Sequence, residues 1–485
     1  MHLPVVQRIL GLLLMLFSSS MLPPIAISLI YKDGSSAAFI QGFAVTLIAG
    51  AMIWFPVRKE QRELRLRDGF IIVAAFWVVL GTFGAAPLMF STTPNMTITD
   101  AVFEAISGLT TTGATVLSGL DILPESILYY RQQLQWLGGM GIIVLAVAVL
   151  PMLGVGGMQL YRAETPGPVK DTKLTPRITE TAKALWYIYL GLTIACAVSY
   201  FVAGMNLFDA ICHSFSTVAI GGFSTHDASI GFFSENHPFV ELIAIVFMSL
   251  SGVNFSLHFF AWRSYSIQHY LEDPEFKAYT WIMIGTLFVV LTGLYMSGEY
   301  STLRETITKG LFQVVSIATT TGFTTTNFSA WPGTLPVLLL FASFIGGCAG
   351  STGGGMKVMR CLLLYKQGLR EVHRLVHPNA EVPVKLGSMP VPQPVIDAVW
   401  GFFAVYVVLF VLMMVVVLAT GIDQVTAFSA IAASLNNLGP GLGDVATGFS
   451  DINNISKWVC ICAMLLGRLE IFTLLVLVSP TFWRH

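Results

Sequence analysis

Ala318-Thr319-Thr320-Thr321-Gly322 ends a short apolar run that begins at Gly310, and three other places in the chain end in a similar way. They are Leu109-Thr110-Thr111-Thr112-Gly113, Val218-Ala219-Ile220-Gly221-Gly222 and Leu435-Asn436-Asn437-Leu438-Gly439. Laid over one another from Ala101, Ala210, Gly310 and Ala427, the four segments bring Gly113, Gly222, Gly322 and Gly439 into register without a gap. Each segment lies between two long apolar stretches. Four such turns can form a ring of backbone oxygens that replaces an ion's hydration shell, which no single loop can do.

Outward from these turns, the composition is that of a bilayer protein. Apolar residues make up 55% of the chain and charged residues 11%, against roughly a quarter charged in a soluble domain. A net charge of −1 gives no reason to expect nucleic acid as a partner. Runs long enough to cross roughly 30 Å of hydrocarbon fall at 9–30, 36–56, 70–90, 132–152, 184–204, 238–261, 279–298, 334–364 (interrupted), 396–420 and 457–480. The first is read as a retained span, because no small-residue cleavage site follows it. Basic residues gather at Arg58 to Arg67, Arg162 to Lys183, Arg263 to Lys277 and Lys357 to Lys385, whereas the opposite loops hold only Lys32, Arg131, Arg304, Lys309 and Lys457. The positive-inside rule then puts both termini in the cytoplasm. The expected organisation is a two-helix preface over 1–68 and four units of helix, re-entrant loop and helix over 69–155, 156–265, 266–390 and 391–485.

The residues of the turns suit a monovalent cation. Glycine tolerates the left-handed dihedrals that inward-pointing carbonyls require, threonine adds hydroxyl oxygen, and no carboxylate lies within the turns. Apolar spacing before the turns, as in Val102, Phe103, Ile106 and Leu109, predicts short helices. Their carbonyl ends would carry about half a negative charge each toward the pore. Small residues also permit close helix packing, but that accounts for one loop better than for four in register. Glu104, Asp121, Glu125 and Asp227 stand near the outer mouths, either concentrating cations or as ordinary solvated acids. The six cysteines, Cys196, Cys212, Cys348, Cys361, Cys460 and Cys462, read as small packing residues.

Two further features break the rules of a membrane helix. Gly346-Gly347-Cys348-Ala349-Gly350-Ser351-Thr352-Gly353-Gly354-Gly355 interrupts the eighth span; at about 1 kcal/mol per interior glycine this stretch must unwind and line protein or water. Arg468 lies within the last span, where a charge costs from about 3 to above 10 kcal/mol. Glu470, two positions on, points to another side of a helix and makes a poor local partner.

With these motifs the chain resembles the Trk/Ktr/HKT superfamily of potassium transporters over essentially its whole length. The resemblance implies an all-α polytopic protein of about ten transmembrane helices with pseudo-fourfold symmetry, taking up potassium across the bacterial inner membrane. It implies a filter at Thr111, Thr112, Gly113, Ile220, Gly221, Gly222, Thr320, Thr321, Gly322, Asn437, Leu438 and Gly439. It implies a gate at Gly346, Gly347, Gly350, Ser351, Thr352, Gly353, Gly354, Gly355 and Lys357, together with Arg468. Potassium is then the transported ion, no cofactor is bound by this chain, and no catalysis is expected. A homodimer with two separate pores and a cytoplasmic ring of TrkA-like subunits binding NAD(H), ATP or ADP are further implications. The basic loops fit such a subunit or anionic membrane lipid equally well. Only the first and third loops approach the pattern of a fourfold potassium channel. Potassium and rubidium are therefore expected to pass, with sodium excluded less strictly. The alternative reading is the potassium-translocating subunit of an ATP-driven pump, which would need a separate ATPase. Histidines 213, 226, 237 and 258 form no HExxH pair, which weighs against a metallohydrolase.

Overall fold

Each of the four short helices starts on a residue that caps it. Thr97 accepts from the Asp100 amide, Asn206 from Asp209, Thr302 from Glu305, and Asp423 from Val425 and Thr426. The helices run over Ile98–Leu109, Leu207–Val218, Leu303–Ala318 and Gln424–Leu435. The first three carry an acid three residues after the cap, where it satisfies the positive end of the helix dipole.

In the computed structural model the described residues are 2–148 apart from 61 and 63–65, 178–469 apart from 235, 381 and 388, and 471, 477 and 480–483. The basic stretch from Arg162 to residue 177 and Glu470 lie outside them. Every short helix sits between an entering and a returning helix. The pairs are Leu66–Gly84 with Glu125–Ala148, Ile178–Val202 with Pro238–Ser251, Pro274–Ser297 with Leu335–Ile345, and Gln393–Ala419 with Asn454–Arg468. The preface consists of Leu3–Ser18, Leu22–Tyr31 and Ser36–Trp54. Its first and third helices cross where Gly11 faces Gly50 and Trp54, a contact close enough that a Cβ on either glycine would meet the other helix within 2.9 Å.

The protein is all-α and polytopic. Among the described residues, six helices are long and apolar enough to cross a membrane, and Pro238–Ser251 with Phe255–Ser264 makes a seventh candidate bent by 96°. That bend departs from the straight span expected over 238–261. Asn254 caps the second piece by accepting from the Ser256 amide, and the Gly252 carbonyl turns away to accept from Cys348. The eighth span is interrupted as expected, Leu335–Ile345 giving way to an unwound segment before Val358–Val376. Large apolar side chains such as Trp281, Phe288, Val408 and Leu412 are left exposed on the long helices, as lipid contact requires.

Ion pairs staple helices of different repeats together. Lys457 pairs with Asp100 at 2.8 Å and Lys309 with Glu241 at 2.7 Å, each joining two repeats. Glu104 and Arg131 are neither a mouth acid nor a solvated cation. They form a buried ion pair at 2.6 Å, with side chains 0% and 1% exposed, and Arg131 also lies 4.2 Å over the Phe223 ring. Breaking a buried pair strands a charge, at about 3–5 kcal/mol. Arg131→Leu should therefore lower the thermal unfolding temperature of the detergent-purified protein sharply. Adding Glu104→Gln should recover part of the loss, since no charge is then left alone.

Candidate functional site

The short helices all end in one backbone motif. The N–H groups of Thr112, Gly221, Thr321 and Leu438 reach back to the carbonyls of Ser107, Ser216, Ser316 and Ala433 at 2.8–2.9 Å. One residue earlier, the N–H groups of Thr111, Ile220, Thr320 and Asn437 bond the carbonyls of Gly108, Thr217, Ile317 and Ser434 at 3.0–3.2 Å. This pair of bonds is the Schellman cap, which places its penultimate residue in the left-handed region. Thr111, Ile220, Thr320 and Asn437 have φ of 56°, 54°, 67° and 52°. Three of them are β-branched, and each such residue stores roughly 1–3 kcal/mol of strain.

Two residues further on, Gly113, Gly222, Gly322 and Gly439 take φ of 77°, 79°, 84° and 97°, while the residue between keeps φ negative. The alternation in handedness turns successive carbonyls toward one side of the chain. The four glycines also close a ring. A Cβ on Gly113 would collide with the carbonyl oxygen of Gly221, one on Gly222 with that of Thr321, and one on Gly322 with that of Leu438. A Cβ on Gly439 would lie 2.8 Å from the Thr112 carbonyl oxygen and complete the circuit. Each loop thus presses the carbonyl before its glycine against the glycine of its neighbour. All four glycines line one cavity of about 380 Å³, together with Thr115, Phe223, Thr324 and Pro440.

The unwound segment bonds to this ring. Gly354 N–H donates to Thr320 Oγ1 at 2.7 Å, Gly355 N–H to the Asn436 carbonyl at 3.0 Å, and Thr352 Oγ1 to the Val218 carbonyl at 2.9 Å. Gly346, Gly350 and Gly355 have positive φ, as does Lys357 at 77°. The ammonium of Lys357 donates back to the Gly353 carbonyl, Ser351 Oγ bonds the Cys348 carbonyl at 2.6 Å, and the Gly347 carbonyl accepts from Val358 at 3.1 Å. Arg468 closes the segment from the other side. Its guanidinium donates to Thr352 O at 3.3 Å and to the carbonyls of Gly138 and Gly139 at 2.5 and 3.0 Å, and lies 5.5 Å over the Trp77 ring. Sequence reasoning missed Glu275, whose Oε1 accepts from Ala349 N–H at 2.7 Å and Met359 N–H at 3.0 Å, holding both arms of the segment. No spacing rule marks an acid 74 residues from its partner.

The sequence profile of a family described as TrkH, cation transport protein, matches residues 35–484. The chain belongs to the TrkH family. It is 58% identical over 484 residues to the Trk system potassium uptake protein TrkH of Halomonas elongata, covering 100% of both chains. It is 44% identical over 483 residues to the Trk system potassium uptake protein TrkG of Escherichia coli, covering 100% of this chain and 99% of that one. The crystal structure of the potassium transporter TrkH from Vibrio parahaemolyticus superposes with a TM-score of 0.91 at 56% identity, over the full length of both.

Beside the cavity that the four glycines line, this TrkH-family chain gathers groups from two repeats. His226 stacks on Phe232 with centroids 3.6 Å apart and contacts Asp121 at 2.5 Å and Asp209 at 3.3 Å, with the His213 ring 6.5 Å away. Burial opposes the charged imidazole, but hydrogen bonds and the charges of Asp209 and Asp121 outweigh it and raise the His226 pKa. Burial likewise opposes the Asp121 carboxylate, and bonds from His226 and the Asp227 amide outweigh it and lower its pKa. A raised histidine pKa contributes stability that is full below the ordinary value near 6.5 and is lost as pH rises through the raised value. A lowered aspartate pKa contributes above about 3.9 and is lost as pH falls through the lowered value. Thermal unfolding followed across pH should show a loss on the alkaline side of 6.5 that His226→Gln removes.

Proposed function

We propose that the chain takes up potassium across the bacterial inner membrane, through a filter formed by the four glycine loops. The ring of neighbouring carbonyls and glycines is the observation that carries this reading, since a cage of backbone oxygens is what strips a monovalent cation of water. Four short helices end at that cage, and their carbonyl termini favour positive charge there. Potassium is the named cargo of the relatives at 58% and 44% identity. Thr111, Ile220, Thr320 and Asn437, the residues after them, and the four glycines serve as the filter in this reading. The segment from Gly346 to Lys357, locked by Arg468, serves as the gate. Its displacement would be controlled by a cytoplasmic TrkA-like nucleotide-binding subunit docked on the basic loops. The units 1–68, 69–155, 156–265, 266–390 and 391–485, a homodimer and cytoplasmic termini belong to the same proposal. No bond is made or broken in such a process, so neither a catalytic residue nor a cofactor enters it.

Uptake of rubidium into liposomes carrying the purified chain, under a potassium gradient, tests the reading. The native chain should take up rubidium faster than sodium, and Gly322→Ser should reduce that preference, because any side chain there forces the Leu438 carbonyl aside. Arg468→Ala should raise uptake by the lone chain roughly tenfold, the effect of lowering an electrostatic barrier by about 1.4 kcal/mol. Absence of uptake with and without the cytoplasmic subunit would leave the pump-subunit reading in its place.

A further inference from the structure

The second loop lacks the residues that hold the first and third. Those two carry threonine three positions and one position before the glycine, whereas the second carries Ala219 and Gly221. In the first and third loops these hydroxyls meet, Thr110 with Thr112 and Thr319 with Thr321, both at 2.8 Å. Ser107 and Ser316 also donate to the carbonyls following the glycines, of Ala114 and Phe323, at 2.5 and 2.6 Å. Neither contact exists in the second loop, where Ser216 Oγ has no hydrogen-bond partner among the described residues.

That loop is held instead by another repeat. From the returning helix of the first repeat, Gln135 Nε2 donates to the Gly221 carbonyl at 2.6 Å, and Gln135 Oε1 accepts from the Phe223 amide at 3.1 Å. Gln132 Nε2 donates to the Phe223 carbonyl at 3.1 Å, and Arg131 to the Ser224 carbonyl at 3.2 Å. One backbone acceptor and one backbone donor fix which way the Gln135 amide points. Gln135 is fully buried. Its amide fills the space beside Gly221 so completely that a Cβ there would collide with it. The glycine at 221 and the glutamine at 135 are therefore two halves of one fitted contact.

We propose that Gln135 is a positioning residue that sets ion discrimination. It holds the Gly221 carbonyl, the second loop's member of the oxygen ring, and so steadies a loop that lacks the threonine pair of the first and third. The proposal rests on reading the four loops as the filter. A carbonyl tied by an amide donor keeps its distance from the ring centre; released, it is free to close on a smaller ion, and sodium gains relative to potassium.

The test is the ratio of rubidium to sodium permeability in liposomes bearing the full chain. Gln135→Leu keeps the volume but removes both hydrogen bonds, and should lower the ratio roughly three- to tenfold, the effect of losing about one buried hydrogen bond. Gln135→Glu offers Gly221 a donor only when protonated, so its ratio should recover as pH is lowered while the native ratio stays flat. Gly221→Ser alone should clash with Gln135. Combined with Gln135→Ala, it moves a hydroxyl into the vacated space and should return the ratio toward the native one. A Gln135→Leu protein that elutes and unfolds like the native one and keeps the native ratio would overturn the proposal. So would a Gln135→Glu protein with a native, pH-independent ratio, which decides the matter if the leucine variant does not fold. Loss of total flux and stability at an unchanged ratio would reduce Gln135 to a packing residue. A native chain that does not prefer rubidium to sodium would bring down the filter reading itself, and this proposal with it.

Discussion

Four backbones meet so closely at Gly113, Gly222, Gly322 and Gly439 that no side chain fits between them. The contact is carbonyl oxygen against Cα, from each loop to the next around a circle. Two demands coincide at these positions, since the same residues also take φ between 77° and 97°. Either demand alone would favour glycine; together they leave no substitute. The rest of the architecture serves this meeting. Capped short helices deliver the loops, Schellman caps turn them, and the flanking helices fix the distance at which they arrive.

The unwound segment depends on the ring for its own existence. Inside a membrane its amides need acceptors, and eight of them have one, those of Gly346 and Ser351 bonding locally to Ala342 O and Cys348 O. Cys348 donates to Gly252 O, Ala349 to Glu275, Gly353 to Ser351 Oγ, Gly354 to Thr320 Oγ1, Gly355 to Asn436 O and Met356 to Phe344 O. Two of those acceptors belong to the third and fourth loops. The segment is thus held by the parts it lies against, and moving it away exchanges those bonds for water. Arg468 adds a charge-assisted clasp between Thr352 and the carbonyls of Gly138 and Gly139. A half-buried cation with three carbonyl acceptors and an aromatic face is well solvated by protein, and Thr352 supplies one part of that shell.

The glycine register, the break at Gly346 to Gly355 and the oddity of Arg468 were legible in the sequence because each violates a local rule in a fixed place. The helix caps were legible too: Thr97 to Asp100, Asn206 to Asp209 and Thr302 to Glu305 repeat one spacing that would have set the starts of three short helices. Long-range pairs were not. Glu104 and Arg131 are 27 residues apart, and Gln135 and Gly221 are 86 apart, so no periodicity connects them. Nor does hydropathy carry direction. It reads 238–261 as one span because apolar residues continue through the bend at Gly252 to Asn254.

Placing four loops in one chain has a physical consequence that a ring of identical subunits cannot reach: each loop can be supported differently. Hydroxyl pairs hold the first and third, and glutamines from a neighbouring helix hold the second. Asn437, in the fourth, donates to Thr112 Oγ1 at 2.9 Å and to the Met464 carbonyl at 3.0 Å, which ties the fourth loop to the first. Backbone geometry is nearly constant across the four, while the polar scaffolding behind it is not. The symmetry of the ring is therefore a property of the main chain alone. Charge breaks it further, because Arg468 belongs to a single repeat and reaches across to the first and third. Arg468 therefore reaches the unwound segment from one side only. The field at that segment is thereby set by side chains of single repeats, and the main-chain symmetry of the ring does not extend to it.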